Sequence, residues 1–226
     1  MWRDARSEWD VEARDSVDFF LGNHYSQEES DALRAVGQGD FVIDRVYAAI
    51  EKLKSLLTSR SPKYSAVGRE DSDSRISNVW RTILEYIWDI SDGDTQFKQA
   101  VHDYATAGMG YLYAYIDPEA DYGRGEVKYT YVDPFRVYVD PASRHRYADD
   151  ASGIILSTIL TEDQLVNMYP QVEPFLQDLE TYYDEEDYPE SGRKNSSQSF
   201  TPDVTYESEY NRVNKYRILE RFMKVK

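Results

Sequence analysis

The change in hydrophobic periodicity at Gly110 is the feature that most constrains the fold of this chain. Before Gly110, apolar residues recur about every three to four positions, as they do on one face of a helix. After it, aromatic and β-branched residues form strand-like runs, the clearest of which alternate with polar residues. The pattern indicates an α+β fold, in which a helical N-terminal half packs on a small, mainly antiparallel sheet.

The same periodicity predicts the individual elements. We expect helices over residues 3–21, 28–36, 41–58, 74–91 and 95–108. We expect strands over residues 111–116, 126–132, 137–139, 154–160 and 216–225, the first two forming a hairpin. Ser26 is placed to cap the second helix, and the sequence from Thr161 to Gln164 fits a capping box for a further short helix. The chain should therefore divide into a helical part, 1–110, and a β-rich part, 111–226.

Trp9, Trp80 and Trp88 lie in predicted helices, and Trp2 directly precedes the first of them. Trp80 belongs to the apolar stripe of its helix, which predicts a core position, whereas Trp88 lies off that stripe and could be a contact residue. Trp2 lies next to the first helix and Trp9 within it, and this helix could stand apart from the core. Large aromatic side chains often anchor protein interfaces, so Trp2 and Trp9 are our candidate residues for contact with a subunit or another partner.

Composition excludes several functions. The 226 residues include 42 acidic and 26 basic side chains, which gives a formal net charge of −16. Such a chain should not bind nucleic-acid phosphates broadly, because that binding depends on Lys and Arg. The absence of cysteine excludes disulfides, thiol catalysis and cysteine-ligated metals. No apolar run of about 18 residues is present, so we expect no membrane contact.

The sequence offers little that suggests catalysis. His24, His102 and His145 have no partner at the spacing of a known metal motif, and neither a nucleophile elbow nor a phosphate-binding loop is present. We therefore predict no catalytic residue, no metal and no cofactor. Two other functions stay open: an acidic protein-interaction module, and a carbohydrate-active enzyme that uses paired carboxylates and some of the 20 tyrosines.

Two segments bear on the extent of the domain. Residues 184–203 combine an acidic run with a serine-rich stretch, and we expect them to be poorly ordered because few apolar side chains there can offset the entropy cost of ordering. The final predicted strand runs to the end of the sequence without a polar tail. We therefore expect the chain to be part of a longer protein.

The order of several short motifs resembles that of a phage portal protein, the head-to-tail connector of tailed phages, of the podovirus-like type. Each motif is short, but they follow one another in the family's order over nearly the whole chain. The matching segments are Asp18–Tyr25, Phe41–Val46, Ser61–Val67, Phe97–Tyr111, Val132–Pro141 and residues 151–170.

The resemblance implies that the chain is the N-terminal wing region of a structural protein and not an enzyme. Its copies would form a ring similar to the dodecameric portals, at the capsid vertex of the virion, after assembly in the host cytoplasm. The ring would carry DNA during packaging and ejection without sequence-specific contact. Its partners would be the major capsid protein, the terminase, which would hydrolyse ATP, and the tail adaptor proteins.

Overall fold

The structure, a computed structural model, describes residues 2–68, 74–145, 147–179, 181 and 214–224. Within them the fold is α+β, as the periodicity predicts. The segment 184–203, which we expect to be poorly ordered, lies outside the described residues.

Helices dominate the first half of the described chain. This half contains α1 (Trp2–Phe20), α2 (Gln27–Ala35), α3 (Val46–Leu57), α4 (Ser74–Ile90) and α5 (Gly93–Ala107). The second half contains the four-residue helical turn α6 (Ala120–Gly123) and the helix α7 (Glu162–Met168). Short 3₁₀ segments at Pro134–Arg136 and Pro170–Asp178 add to these.

The strands form two antiparallel sheets in the described residues, where the sequence predicts one. They are β1 (Tyr111–Asp117), β2 (Glu126–Val132), β3 (Val137–Val139), β4 (Gly153–Thr161) and β5 (Lys215–Met223). β1 and β2 form a hairpin with Tyr111 opposite Val132. The other sheet has the order β3–β4–β5. The expectation of a single sheet is wrong because nothing in the alternation of a strand reveals which neighbour it pairs with.

Side-chain caps fix where the helices begin. Ser26 Oγ accepts a hydrogen bond from the Glu29 amide (3.2 Å), and the Glu29 carboxylate accepts one from the Ser26 amide (2.8 Å), which completes the predicted cap of α2. Thr161 and Gln164 form the same reciprocal pair at α7. The predicted start of α3 at residue 41 is wrong, because Asp44 accepts from the Tyr47 amide (2.9 Å) and the helix begins only at Val46.

The chain divides into two compact units. Unit 1 comprises residues 1–42 and 135–226, and unit 2 comprises residues 43–134. Each unit contains both helices and strands. Gly110, where the periodicity changes, therefore marks the boundary between mainly helical and mainly β structure. The boundaries of the compact units lie elsewhere, after residues 42 and 134.

Unit 1 places α1 against β3 and α7 against β4 and β5. Its buried apolar side chains are Ala13 of α1, Val137 of β3, Ala151 just before β4, Leu165 of α7 and Tyr216 of β5. Leu165 is the most deeply buried of them, at 1% exposure. Burial of these few side chains is the main favourable contribution to packing the sheet against its helices.

Unit 2 is built around the indole of Trp88, which is only 8% exposed. Its ring lies 5.6 Å from that of Tyr64, 6.1 Å from Tyr129 and 6.4 Å from Phe97. Its Nε1 donates to the Asp94 carboxylate (3.0 Å). One side chain therefore joins α4, α5, β2 and the chain after α3, with its polar atom satisfied.

Side chains from the helical segments also satisfy the open edge of the hairpin in unit 2. The Tyr129 amide donates to Ser91 Oγ (2.9 Å), and the Tyr131 amide donates to Gln96 Oε1 (2.7 Å). A two-stranded sheet otherwise leaves such N–H groups without a partner, which costs stability and invites strand addition. These contacts orient α4 and α5 relative to β2.

Gly93 is required by the close approach of the Trp88 ring. A Cβ atom at residue 93 would lie 2.2 Å from the indole. We expect Gly93→Ala to lower the free energy of unfolding by about 1–3 kcal/mol, as overpacked cores do. Thermal unfolding followed by circular dichroism measures the change. Gln99→Ala, at an exposed position of the same helix, is the control, and equal stability of the two variants would contradict the packing argument.

Candidate interaction surfaces

Trp2 and Trp9, the predicted contact residues, are both half-buried within unit 1. The ring of Trp9 lies 5.3 Å from that of Phe135, and the Arg6 guanidinium lies 5.2 Å from the centre of the Trp9 ring. The Arg221 guanidinium of β5 lies 5.4 Å from the centre of the Trp2 ring. Each indole thus has an intramolecular contact and an accessible part, and their role in contact with a partner remains a prediction.

Arg6 holds α1 on the sheet of unit 1. Its guanidinium donates to the backbone carbonyls of Val137 (2.5 Å) and Phe135 (2.8 Å), pairs with Asp10 (2.9 Å) and lies 3.9 Å from the centre of the Tyr138 ring. The Arg6 side chain is only 14% exposed. A planar, five-donor group can make these contacts together, so Arg6 fixes the position of the helix that carries Trp2 and Trp9.

The apolar stripe of α4 faces outward. The sequence predicts Trp80 in the core and Trp88 as the contact residue, and both predictions are wrong: Trp80 is 55% exposed and Trp88 is buried. Ile76, Val79 and Ile83 are exposed beside Trp80. Because Trp88 packs inward on β2 and α5, the stripe, which is centred roughly a third of a turn away on the same helix, remains in solvent.

Helix α3 also exposes its apolar residues, and it turns charged residues toward the rest of unit 2. This helix packs against α5, and its half-buried positions include Glu51 and Lys54, which pair with each other. Its large apolar residues lie on the exposed side: Val46, Leu53, Leu56 and Leu57. A surface helix normally presents its apolar side to the core and its charged side to water. Helices α3 and α4 therefore give unit 2 two exposed apolar surfaces, each larger than isolated surface leucines would explain.

The histidines do not form a shared site in the described residues. His24 lies 3.0 Å from the Phe19 carbonyl and packs on the Phe19 ring, whereas His145 Nδ1 accepts from the Tyr147 amide (3.3 Å). His102 lies on α5. Across the described residues, no group of three His, Cys, Asp or Glu side chains could hold a metal ion.

Asp103 and Asp150 are two of the carboxylates whose pKa values are displaced, and in both the cause is structural. Burial raises the pKa of Asp103, which accepts a hydrogen bond from the Tyr131 hydroxyl on β2. Hydrogen bonds from Ser143 and from the amides of the loop between β3 and β4 lower the pKa of Asp150 to about 2. Both carboxylates hold neighbouring segments together through these hydrogen bonds.

Comparison with known proteins gives one family. The family described as phage P22-like portal protein matches residues 1–226, which is the whole printed sequence. No curated protein matches the chain. Of the helices in the described ranges, none has the length and apolar character of a membrane span. The family match confirms the resemblance that the order of the sequence motifs indicates.

The role of Arg6 in positioning α1 can be tested against a second arginine–aspartate pair. We expect Arg6→Ala to lower the free energy of unfolding by about 3–5 kcal/mol, because it leaves two carbonyls and Asp10 without their cation. Arg34→Ala removes an exposed pair with Asp40 and should have a much smaller effect. Urea unfolding measures both, and equal losses would show that Arg6 is not specially placed.

Proposed function

This chain belongs to the phage P22-like portal protein family, and we propose that it forms the wing region of a ring subunit through which DNA enters and leaves the capsid. A phage portal protein is a structural component of the virion at the capsid vertex. The position of this chain in the wing and its contacts with neighbouring proteins are our proposals.

The observation that best supports assembly is the exposure of apolar helix faces in a strongly acidic chain. Helices α3 and α4 leave large apolar side chains in solvent, although the net charge of −16 should keep separate copies apart. Exposed apolar surface of this kind marks protein interfaces. The exposed apolar faces and the strong negative charge are both expected of a subunit whose apolar faces become buried only when it binds its neighbours.

The charge supports a passive role toward DNA. A conduit has to let phosphates slide past, and excess negative charge disfavours the tight, counterion-releasing contacts that Lys and Arg would make. We propose that DNA passes the ring without sequence-specific contact to this chain. The terminase would then supply the energy of packaging, and no residue of this chain would be catalytic.

We propose that the outer surfaces of the ring meet the major capsid protein, the terminase and the tail adaptor proteins. The half-buried Trp2 and Trp9 on α1 are our candidates for contact with a subunit or the capsid. Both rings remain partly accessible to a partner, and each also lies beside an arginine of its own chain, Arg221 for Trp2 and Arg6 for Trp9. Assembly would take place in the host cytoplasm.

The proposed function predicts closed rings. Negative-stain microscopy of the protein expressed from its complete gene should show rings of uniform diameter, and its mass by light scattering should correspond to a whole number of subunits. In each ring, every copy of the chain should contact one neighbouring copy on either side. Folded protein that stays monomeric at concentrations typical of portal assembly would contradict the proposal.

The contact role of the two tryptophans gives a separate prediction. Trp2→Ala with Trp9→Ala should reduce ring or procapsid formation on the order of tenfold, because an aromatic anchor at an interface contributes about 1.4–2 kcal/mol or more. The matched control is Trp2→Phe with Trp9→Phe, which keeps an aromatic ring against Arg221 and Phe135. If the alanine variant loses melting temperature while its native fraction still assembles normally, the two residues serve unit 1 alone.

A further inference from the structure

We propose that the exposed apolar stripe of α4 in one copy packs against the exposed apolar stripe of α3 in the next copy. This inference rests on the proposed function, because it assigns the contact that joins neighbouring subunits of the ring. The α4 stripe consists of Ile76, Val79, Trp80 and Ile83. The α3 stripe consists of Val46, Leu53, Leu56 and Leu57.

The α4 stripe has the composition of an interface core. Ile76 is 58% exposed and Trp80 is 55% exposed, and the four residues lie on one side of the helix at spacings of three and four. The stripe contains no charged residue. Tryptophan flanked by aliphatic side chains is typical of the residues that dominate binding energy, because a large flat ring can be fully removed from water.

The α3 stripe offers the complementary surface. Leu56 is 64% exposed, and Val46, Leu53 and Leu57 lie on the same side of the helix, with the exposed Lys52 at the border of the stripe one turn before Leu56. The charged pair of this helix, Glu51 and Lys54, occupies the half-buried side toward unit 2. Three leucines and a valine are therefore exposed to solvent, although the charged residues Glu51 and Lys54 of the same helix would be better suited to an exposed side. Branched aliphatic side chains are good partners for an indole and for isoleucine.

Ring symmetry favours a contact between two different surfaces. A closed ring forms by head-to-tail association, in which one patch of each subunit meets a different patch of its neighbour. Contact of α4 with α4, or of α3 with α3, would use a patch against itself and end at a dimer. Unit 2 presents two distinct stripes, and both helices pack against α5 in their own subunit, so both are positioned by the same support.

Electrostatics favour the same pairing. Two copies that each carry a net charge of −16 repel at close range, and at physiological salt this repulsion acts over roughly 8 Å. Approach through the two apolar stripes costs less than approach through the charged surfaces, because fewer ionised groups lose their hydration there. The burial of eight large apolar side chains then supplies the attraction that the charged surfaces cannot.

Single introduced thiols can test which stripes meet. The printed sequence contains no cysteine, so Ile83→Cys and Leu57→Cys each add one reactive group to this region. Both positions are exposed, and we expect both variants to fold. The two variants, expressed from the complete gene, are assembled separately and as an equimolar mixture, and are then treated with a short bismaleimide. Unaltered protein gives the background.

The proposal expects covalent dimers in the assembled mixture and none above background in either variant alone. Val11→Cys on α1 provides a control, since Val11 is an exposed apolar residue outside both stripes, and its mixture with Ile83→Cys should stay at background. Dimers from Ile83→Cys alone would overturn the proposal in favour of a two-fold contact. Rings that form normally but give no cross-link in the mixture would also overturn it, while leaving the proposed function intact.

Charge variants provide a second, independent measurement. Ile83→Lys and Leu57→Glu should each abolish ring formation, because each places an unpaired charge in the contact, and a mixture of the two should recover part of it. Val11→Lys should assemble like the unaltered protein. Normal rings from either single variant would overturn the contact, whereas absence of rings from the unaltered protein would overturn the proposed function itself.

Discussion

The burial of Trp88 is the contact on which the rest of unit 2 depends. Its indole needs a space that only Gly93 leaves open, and its Nε1 needs the carboxylate of Asp94. Meeting both requirements fixes the rotation of α4 about its own axis. The helix then has no freedom to turn its long apolar stripe inward, and Trp80 remains in solvent. The exposed stripe is thus a consequence of the core, and the surface that we propose as an interface arises without loss of internal packing.

Local chemistry made much of the fold predictable from the sequence. The reciprocal caps at Ser26 and Thr161 act within four residues, and the expected helices begin where those caps form. The hairpin of β1 and β2 follows from an aromatic-rich run and an alternating run that succeed each other in the chain. Gly108, with a φ of +80°, ends α5 as expected, since this backbone conformation suits glycine.

What could not be predicted is decided by contacts between distant residues. Periodicity shows which residues share a side of a helix, but it does not show which side meets the core. Trp80 and Trp88 were therefore assigned in reverse, and the outward side of α3 was missed altogether. The order of β3, β4 and β5 and the division into two units also depend on long-range pairing, which the pattern of one strand does not encode. The position of Trp2 and Trp9 depends on Arg6, whose carbonyl partners lie about 130 residues away in the chain.

The discontinuity of unit 1 determines the order in which the protein can mature on the ribosome. Unit 2 is one continuous segment, so all of its parts have been synthesised once residue 134 has emerged. α1 precedes unit 2 in the chain, but the sheet of unit 1 also contains β5, which is synthesised after unit 2. Nascent chains fold as their parts become available, and contacts between distant residues form slowly. The apolar helix faces of unit 2 are therefore present in the cell before unit 1 is complete. While the rest of unit 1 is being translated, these faces can associate prematurely with other chains.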